Sequence, residues 1–278
     1  MIDSGETMNE KNSYIAVFDS GVGGISVLRH LIRLMPQERF VYFGDSANAP
    51  YGSRSTQEVR ELTLAAVQFL LTQYPLKALV IACNTATAAA VNDVRQAHPD
   101  LIVVGIEPAL KVAADHYPGG RVGVLATEVT LREEKFDTLL HRFDENVTIY
   151  KIPVPGLVEL VEQGKVDTPE TEALLRRVLA PYIGKLDAAV LGCTHYPLLT
   201  EIVAEIMGPD VTLVSAGEES AFELKRLLKA NDLRADETRQ GEAEFFVSDR
   251  AEDFERIASV FLQEDLRRAA RRIDIDQY

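Results

Sequence analysis

Two cysteines occur in the chain, and each closes a short apolar run: Ala78-Leu79-Val80-Ile81-Ala82 leads into Cys83-Asn84-Thr85, and Ala188-Ala189-Val190-Leu191-Gly192 leads into Cys193-Thr194-His195. Such a run reads as a strand buried on both faces of a parallel sheet, delivering its thiol and the small polar residues after it to the strand's carboxyl end. That edge is where open α/β sheets bind their ligands. Two thiols offered by matching strands can face a substrate from opposite sides. One removes a proton from a carbon while the other returns one to the opposite face, and the centre is inverted.

Other uses of a cysteine suit these surroundings less well. A free Cys often serves as a small buried hydrophobe, but Asn84, Thr85, Thr194 and His195 would each need a polar partner in a dry core. A disulfide requires an oxidising compartment, and residues 1–13 are polar, without the apolar segment that directs export. Structural zinc needs four ligands, and neither a C-x-x-C nor a second nearby His accompanies the thiols. The expected setting is a reducing cytoplasm, with no metal.

The elements that must position the thiols follow an alternating βαβ pattern, which predicts an α/β protein with mostly parallel sheets. Expected strands are Tyr14 to Phe18, Phe40 to Phe43, Leu79 to Ala82, Ile102 to Ile106, Val122 to Ala126, Val147 to Tyr150, Ala189 to Gly192, Val211 to Val214 and Glu244 to Val247. Ser55 with Glu58 forms a capping-box pattern ahead of a helix reaching about Gln73, and Thr168-Pro169 supplies a cap and a first-turn proline to another. The repeated cysteine strand suggests two similar α/β domains facing each other across a cleft. With crossovers near Glu107-Pro108 and Ala216-Gly217, residues 1–107 plus 217–278 would form the first and 108–216 the second.

Two loops at the predicted cleft carry further chemistry. Asp19-Ser20-Gly21-Val22-Gly23-Gly24 joins the first strand to a helix beginning near Ile25, and its glycines let backbone amides approach an anion. It has neither the dinucleotide spacing nor the Gly-Lys-Ser/Thr of a P-loop, so a nucleotide is not expected. Asp19 either caps the loop or orients a neighbouring acid/base group. The long polar loop from Gly44 to Arg54 holds Pro50-Tyr51-Gly52, a tight turn whose amides could bind a carboxylate.

Composition narrows the partners. With 29 Lys+Arg against 43 Asp+Glu the net charge is −14, which disfavours nonspecific binding to nucleic acid or anionic membranes. No run approaches the ~20 apolar residues of a membrane span. The basic cluster Arg267, Arg268, Arg271 and Arg272 reads as a solvated helix end. No lysine-centred cofactor motif stands out, so a carbanion would rely on hydrogen bonds to the substrate's carboxylate.

In order and spacing, Asp19-Ser20-Gly21-Val22-Gly23-Gly24, Pro50-Tyr51-Gly52, Cys83-Asn84-Thr85-Ala86 and Gly192-Cys193-Thr194-His195-Tyr196-Pro197 resemble the glutamate racemases of the cofactor-independent aspartate/glutamate racemase superfamily, from about Tyr14 to Ala230. The resemblance implies two α/β domains related by a pseudo-twofold axis, with the active site between them. It implies racemisation of glutamate without cofactor, D-glutamate for peptidoglycan synthesis, a cytoplasmic location, a homodimer as one option for assembly, and a cell-wall precursor as one option for regulation. Carried over by position, Cys83 takes the α-proton from D-glutamate with help from Asp19, and Cys193 takes it from L-glutamate with help from His195 and Glu162. Asp19, Ser20, Tyr51, Gly52, Asn84, Thr85, Thr127, Thr130, Thr194 and His195 match substrate-binding positions.

Departures from that pattern fall at Thr127-Glu128-Val129-Thr130 with Arg132-Glu133-Glu134 after it, at Glu159 where the superfamily often has proline, and at Ser215 where an aspartate is usual. Two alternatives stay open at this level. One is another two-thiol racemase such as an aspartate racemase, and the other a two-lobed amino-acid binding protein that closes on its ligand without catalysis. A free thiol ionises near ~8.5, and the expected helix starts after both cysteines would favour the thiolate. An inverting pair nevertheless needs one thiol and one thiolate at a time.

Overall fold

The computed structural model describes residues 10–106, 108–132, 147–249, 251–262 and 269–273. Its strands, in chain order, are β1 (Tyr14–Asp19), β2 (Arg39–Gly44), β3 (Leu76–Ile81), β4 (Ile102–Val104), β5 (Arg121–Ala126), β6 (Thr148–Pro153), β7 (Ala188–Leu191), β8 (Thr212–Ser215), β9 (Glu242–Val247) and β10 (Arg271–Arg272). They form two sheets, β10-β9-β2-β1-β3-β4 and β6-β5-β7-β8. Every pairing is parallel. The chain builds most of the first sheet, passes through the whole of the second, and returns to add β9 beside β2. The crossover residue Glu107 lies outside the described residues.

The helices are α1 (Ile25–Leu34), α2 (Thr56–Gln73), α3 (Asn84–Ala97), α4 (Pro108–His116), α5 (Glu128–Arg132), α6 (Leu157–Glu162), α7 (Pro169–Leu179), α8 (Thr200–Met207), α9 (Ala216–Ala230) and α10 (Ala251–Leu262). Strand alternation decides which layer each residue joins. In β1, Ile15 and Val17 face the side covered by α1 and α9, whereas Ala16 and Phe18 face the side covered by α2 and α3. The first of these layers runs on without a break through Leu110 and Ala113 of α4 to Val122, Val124 and Val190 of the second sheet. A third cluster fills the far side of the second sheet beneath α6, α7 and α8. The sheets are thus joined by shared core as well as by chain.

Helix starts follow the sequence signals. Ser55 and Glu58 make the reciprocal capping box at the head of α2, and Thr168 with Pro169 opens α7. Strand ends differ where burial pattern is weak. β6 extends to Pro153 instead of stopping near Tyr150, because as an edge strand it is half exposed and loses the uniform apolar run of its neighbours. β4 stops at Val104, short of the expected Ile106. The basic cluster is corrected: Arg271 and Arg272 are strand β10 paired to β9, not a helix end. Arg271 pairs with Glu244 and lies over the Phe246 ring, which anchors this short edge. Arg267 and Arg268 lie outside the described residues.

One polar knot sits at the opposite, amino-terminal end of the first sheet. Lys77 and Glu38 are fully buried and paired at 2.5 Å. Lys77 Nζ also donates to the carbonyls of Lys11 and Leu233, and Glu38 accepts from the Ala235 amide. The pair thereby fastens β2, β3 and two distant connections at a single point. Removing one partner strands a buried charge, a change worth about 3–5 kcal/mol, while replacing both with apolar groups costs far less. Lys77→Met should therefore lower the urea midpoint strongly, and Lys77→Met with Glu38→Leu should recover much of that loss. Equal losses in the single and double variants would contradict the buried-charge account.

Candidate active site

The carboxyl edges of the two sheets meet, and the loops that follow β1, β2, β3, β5 and β7 interlock there. Thr194, after β7, donates to Asp19 Oδ2 at the end of β1 (3.0 Å). Thr85, opening α3 after β3, lies 3.1 Å from Thr127 and 3.3 Å from Thr130, which are themselves 3.0 Å apart. Glycines permit this closeness. A Cβ on Gly21 would fall 2.3 Å from Glu162 Oε1, one on Gly23 would fall 2.5 Å from Thr194 Oγ1, and one on Gly52 would fall 2.8 Å from Thr127 Cγ2. The glycine loop thus serves mainly as a small surface on which the opposite sheet's side chains rest.

On the first sheet, Cys83 is the N-cap of α3 and its sulfur accepts from the Ala86 amide at 3.5 Å. Its thiol donates to Ser20 Oγ, also at 3.5 Å. Burial pushes the Cys83 pKa up to about 12, with the nearby Asp19 charge adding to the effect and the Ser20 and Ala86 hydrogen bonds opposing it. The expected helix-start lowering exists but loses to desolvation. Cys83 rests as a thiol. Asp19 is itself fully buried, and burial raises its pKa above the usual carboxylate value. His195, the Gly21 and Gly24 amides and Thr194 pull it back down.

The second thiol is built differently. After Cys193 comes a 3₁₀ turn (Tyr196–Leu199), and α8 starts only at Thr200, so Cys193 does not cap a regular helix. Its neighbour is His195, whose Nδ1 lies 3.8 Å from Cys193 Sγ and whose Nε2 lies 2.8 Å from Glu162 Oε1. Burial is the largest influence on His195 and lowers its pKa, but hydrogen bonds to Cys193 and Glu162 and their charges together raise it well above the ordinary imidazole value. The His195 ring thus bridges the Cys193 sulfur and the Glu162 carboxyl group. Glu162 reaches it from the last turn of α6, under which Leu157, Val158 and Val161 are buried.

The remaining expected residues converge on the same place. Ser20, Asn84, Thr85, Thr127, Thr130 and Thr194 all stand at this edge, and Asn84, Cys193 and Thr194 line a crevice of about 10 Å³. Tyr51 is buried, and its hydroxyl donates to Asp45 Oδ2 at 2.6 Å. Among the departures, Glu159 is exposed and Ser215 borders the crevice without capping α9 through its side chain. Glu133 and Glu134 lie outside the described residues.

Three site-building residues escaped the sequence reading. Asp45 is fully buried and gathers Tyr51, Asn48 and Ser248, so it fixes the Tyr51-Gly52 turn against β9. Tyr42 donates to the Gly21 carbonyl at 2.7 Å. Ser26 donates across to the Thr194 carbonyl. Asp45 had a readable signal, a carboxylate just past a strand end, as with Asp19. Tyr42 and Ser26 look in sequence like ordinary strand and helix residues.

Comparison with known proteins gives the family and the fold. Residues 20–221 match the model of a family described as Asp/Glu/Hydantoin racemase. The chain is 42% identical over 239 residues to a glutamate racemase of Clostridium perfringens, covering 86% of this chain and 92% of that protein. Its fold is similar to the glutamate racemase isoform RacE1 of Bacillus anthracis, with TM-score 0.88 and 35% identity over 95% of this chain and 98% of that one. It is also similar to the Francisella tularensis glutamate racemase in complex with D-glutamate, with TM-score 0.87 and 30% identity over 96% and 100% of the two chains. The Escherichia coli glutamate racemase in complex with L-glutamate and activator UDP-MurNAc-ala matches with TM-score 0.78 and 30% identity over 93% and 97%.

The raised Cys83 pKa has a measurable signature. An unfolded thiol ionises near 9.0 and the folded one near 12, so between those values the native state holds the proton and the unfolded state releases it. Stability therefore falls as pH rises through this window. At pH 10 the loss from this one group is about 1.4 kcal/mol. A Cys83→Ser protein should lose less stability than the parent between pH 8 and pH 10 in urea titrations, by roughly that amount. Identical pH slopes would show that Cys83 already titrates freely in the folded protein.

Proposed function

The chain belongs to the Asp/Glu/hydantoin racemase family, and on that premise we propose how it interconverts L- and D-glutamate: two opposed thiols exchange a proton each with Cα, without metal or organic cofactor. The observation that carries the reading is geometric: Cys83 and Cys193 are both buried where the two sheet edges meet, Cys83 bonded to Ser20 and Cys193 beside His195, which in turn contacts Glu162. From L-glutamate, Cys193 as thiolate takes the α-proton while the Cα–H bond breaks. The electron pair left on Cα then takes the Cys83 proton from the opposite face, giving D-glutamate, a Cys193 thiol and a Cys83 thiolate. Solvent exchange resets the pair. The reverse reaction uses the same atoms with the roles exchanged.

Positioning comes from the interlocked loops. Asp19 and Ser20 flank Cys83 and His195 with Glu162 flanks Cys193, while Tyr51, Gly52, Asn84, Thr85, Thr127, Thr130 and Thr194 supply amides and hydroxyls for the substrate's charged ends. These groups stabilise charge as it develops beside Cα. Asp19, Ser20, Cys83, Thr85, Thr127, Thr130, Cys193, Thr194 and His195 are all buried, so glutamate enters only when the two edges part. We read residues 1–107 with 217–278 and residues 108–216 as the two bodies that do so. No helix among the described residues is long and apolar enough to cross a membrane. A cytoplasmic location, supply of D-glutamate to peptidoglycan, a homodimer, and regulation by a cell-wall precursor of the kind bound to the Escherichia coli protein complete the proposal.

Two experiments test it. In deuterated water without added cofactor, product glutamate should carry solvent deuterium at Cα from the first turnovers, since acceptor and donor are different sulfurs; transfer of the original hydrogen would indicate one shuttling base. Cys83→Ala and Cys193→Ala should each abolish inversion with glutamate binding largely kept, and Asp19→Asn or His195→Asn should lose ~10²–10⁴-fold. Enantiomers have equal free energy in water, so kcat/KM must fall equally from both sides in every variant. Directional differences will show in kcat and KM separately. A Cys193→Ala protein racemising at parental speed would end the two-thiol mechanism.

A further inference from the structure

We propose that Ser26 is a positioning residue that clasps the Cys193 loop to the first sheet each time the cleft closes, an inference that rests on the two-thiol reading above. Ser26 lies in the first turn of α1, buried, and its hydroxyl reaches two carbonyls: Gly23 O at 2.8 Å and Thr194 O at 3.0 Å. The first bond is local to its own helix. The second crosses the seam to a residue 168 positions away in the chain, and it lands on the peptide next to Cys193.

Thr194 is thereby held at both ends. Its side chain donates to Asp19 and its carbonyl accepts from Ser26. Two anchors on Thr194 fix both its position and its rotation; without Ser26 the His195–Glu162 contact and the Tyr196 amide bond to the Cys193 carbonyl would remain, so the segment would loosen by a small angle and not detach. The sulfur of Cys193 and the ring of His195 branch from the two neighbouring positions, so a pivot would swing both. Ser26 also borders the crevice beside Cys193 and Asn84, which places it against the reacting centre without giving it a proton to transfer.

The clasp is suited to repeated opening. A hydroxyl has one proton to donate, and here it is shared between two acceptors. When the edges part, the proton turns wholly to Gly23 O, the helix-internal partner that serine uses routinely. Thr194 O then meets water. No buried donor is stranded in either state, so the contact can be made and broken on every turnover without an unsatisfied group.

The distinguishing test uses isotope effects. If Ser26 orients Cys193, Ser26→Ala raises the barrier for proton transfer at Cys193 and leaves that at Cys83 alone. With α-deuterated L-glutamate the labelled step is the one at Cys193, so the primary isotope effect on kcat/KM should rise toward its intrinsic value. With α-deuterated D-glutamate the labelled step is at Cys83, now less rate-limiting, and the effect should fall. Overall kcat/KM should drop about 3- to 10-fold, the scale of one hydrogen bond. Ser26→Thr, which keeps the hydroxyl, should restore both isotope effects whatever its melting temperature. Should Ser26→Ala fail to fold, Ser26→Cys, nearly isosteric with a poor donor, carries the same comparison. Isotope effects that stay unchanged or move together, or a threonine variant as impaired as alanine, would overturn the clasp while leaving the two-thiol mechanism intact. A Cys193→Ala protein with parental activity would remove both.

Discussion

Desolvation at the seam governs this molecule. Asp19 and His195 are essentially inaccessible and both thiols nearly so, and a charge taken out of water is tolerable only when other groups replace its hydration. The seam's contacts do that work. Asp19 receives the Gly21 amide and the Thr194 hydroxyl, and the His195 ring lies between Cys193 and Glu162. The Asp19–Thr194 and His195–Glu162 contacts join parts that the chain order keeps distant. The absence of side chains at Gly21 and Gly23 follows from the same requirement, since a methyl at either would stand in the space of Glu162 or Thr194.

The two half-sites meet a symmetric chemical demand with unlike scaffolds. Cys83 caps a long helix and has a hydroxyl and a carboxylate for company, whereas Cys193 lies ahead of a 3₁₀ turn that it does not cap and has a neighbouring imidazole. Equal free energies of the enantiomers constrain only the overall kcat/KM. They do not require the two thiols to be alike, and a pair with matching barriers can be reached by different electrostatic routes. The shared core through α4 and the lower layer of both sheets holds these unlike halves in one frame.

Much of this arrangement was legible in sequence for a physical reason. Parallel strands are buried on both faces, so β1, β2, β3, β5 and β7 announce themselves as continuous apolar runs, and the chemistry at their ends stands out as polar residues in sudden contrast. Edge strands lack that contrast, which is why β6 was cut short and β10 was missed. The positioning residues were hidden by the same logic. Tyr42 fits an apolar strand and Ser26 fits a helix, and only their partners in space, Gly21 O and Thr194 O, separate them from their neighbours. The ionisation of Cys83 was misjudged because a helix start is visible in sequence and the depth of burial is not.

That depth has a consequence for turnover. A thiol held near 12 cannot serve as the base toward D-glutamate at neutral pH while its surroundings stay as they are. Lowering it to about 8 requires some 5 kcal/mol of stabilisation for the thiolate, more than one or two neutral hydrogen bonds supply. Asp19 works against it, since its negative charge is among the influences that hold the Cys83 proton on. On the two-thiol proposal, the charge would come from the substrate. An α-ammonium group placed beside Asp19 would neutralise that carboxylate and face the sulfur with a cation in a water-poor cleft, where such interactions are strong. On the two-thiol proposal, the base toward D-glutamate would then be created by substrate binding, and the burial that holds the Cys83 proton on would also make the bound thiolate reactive.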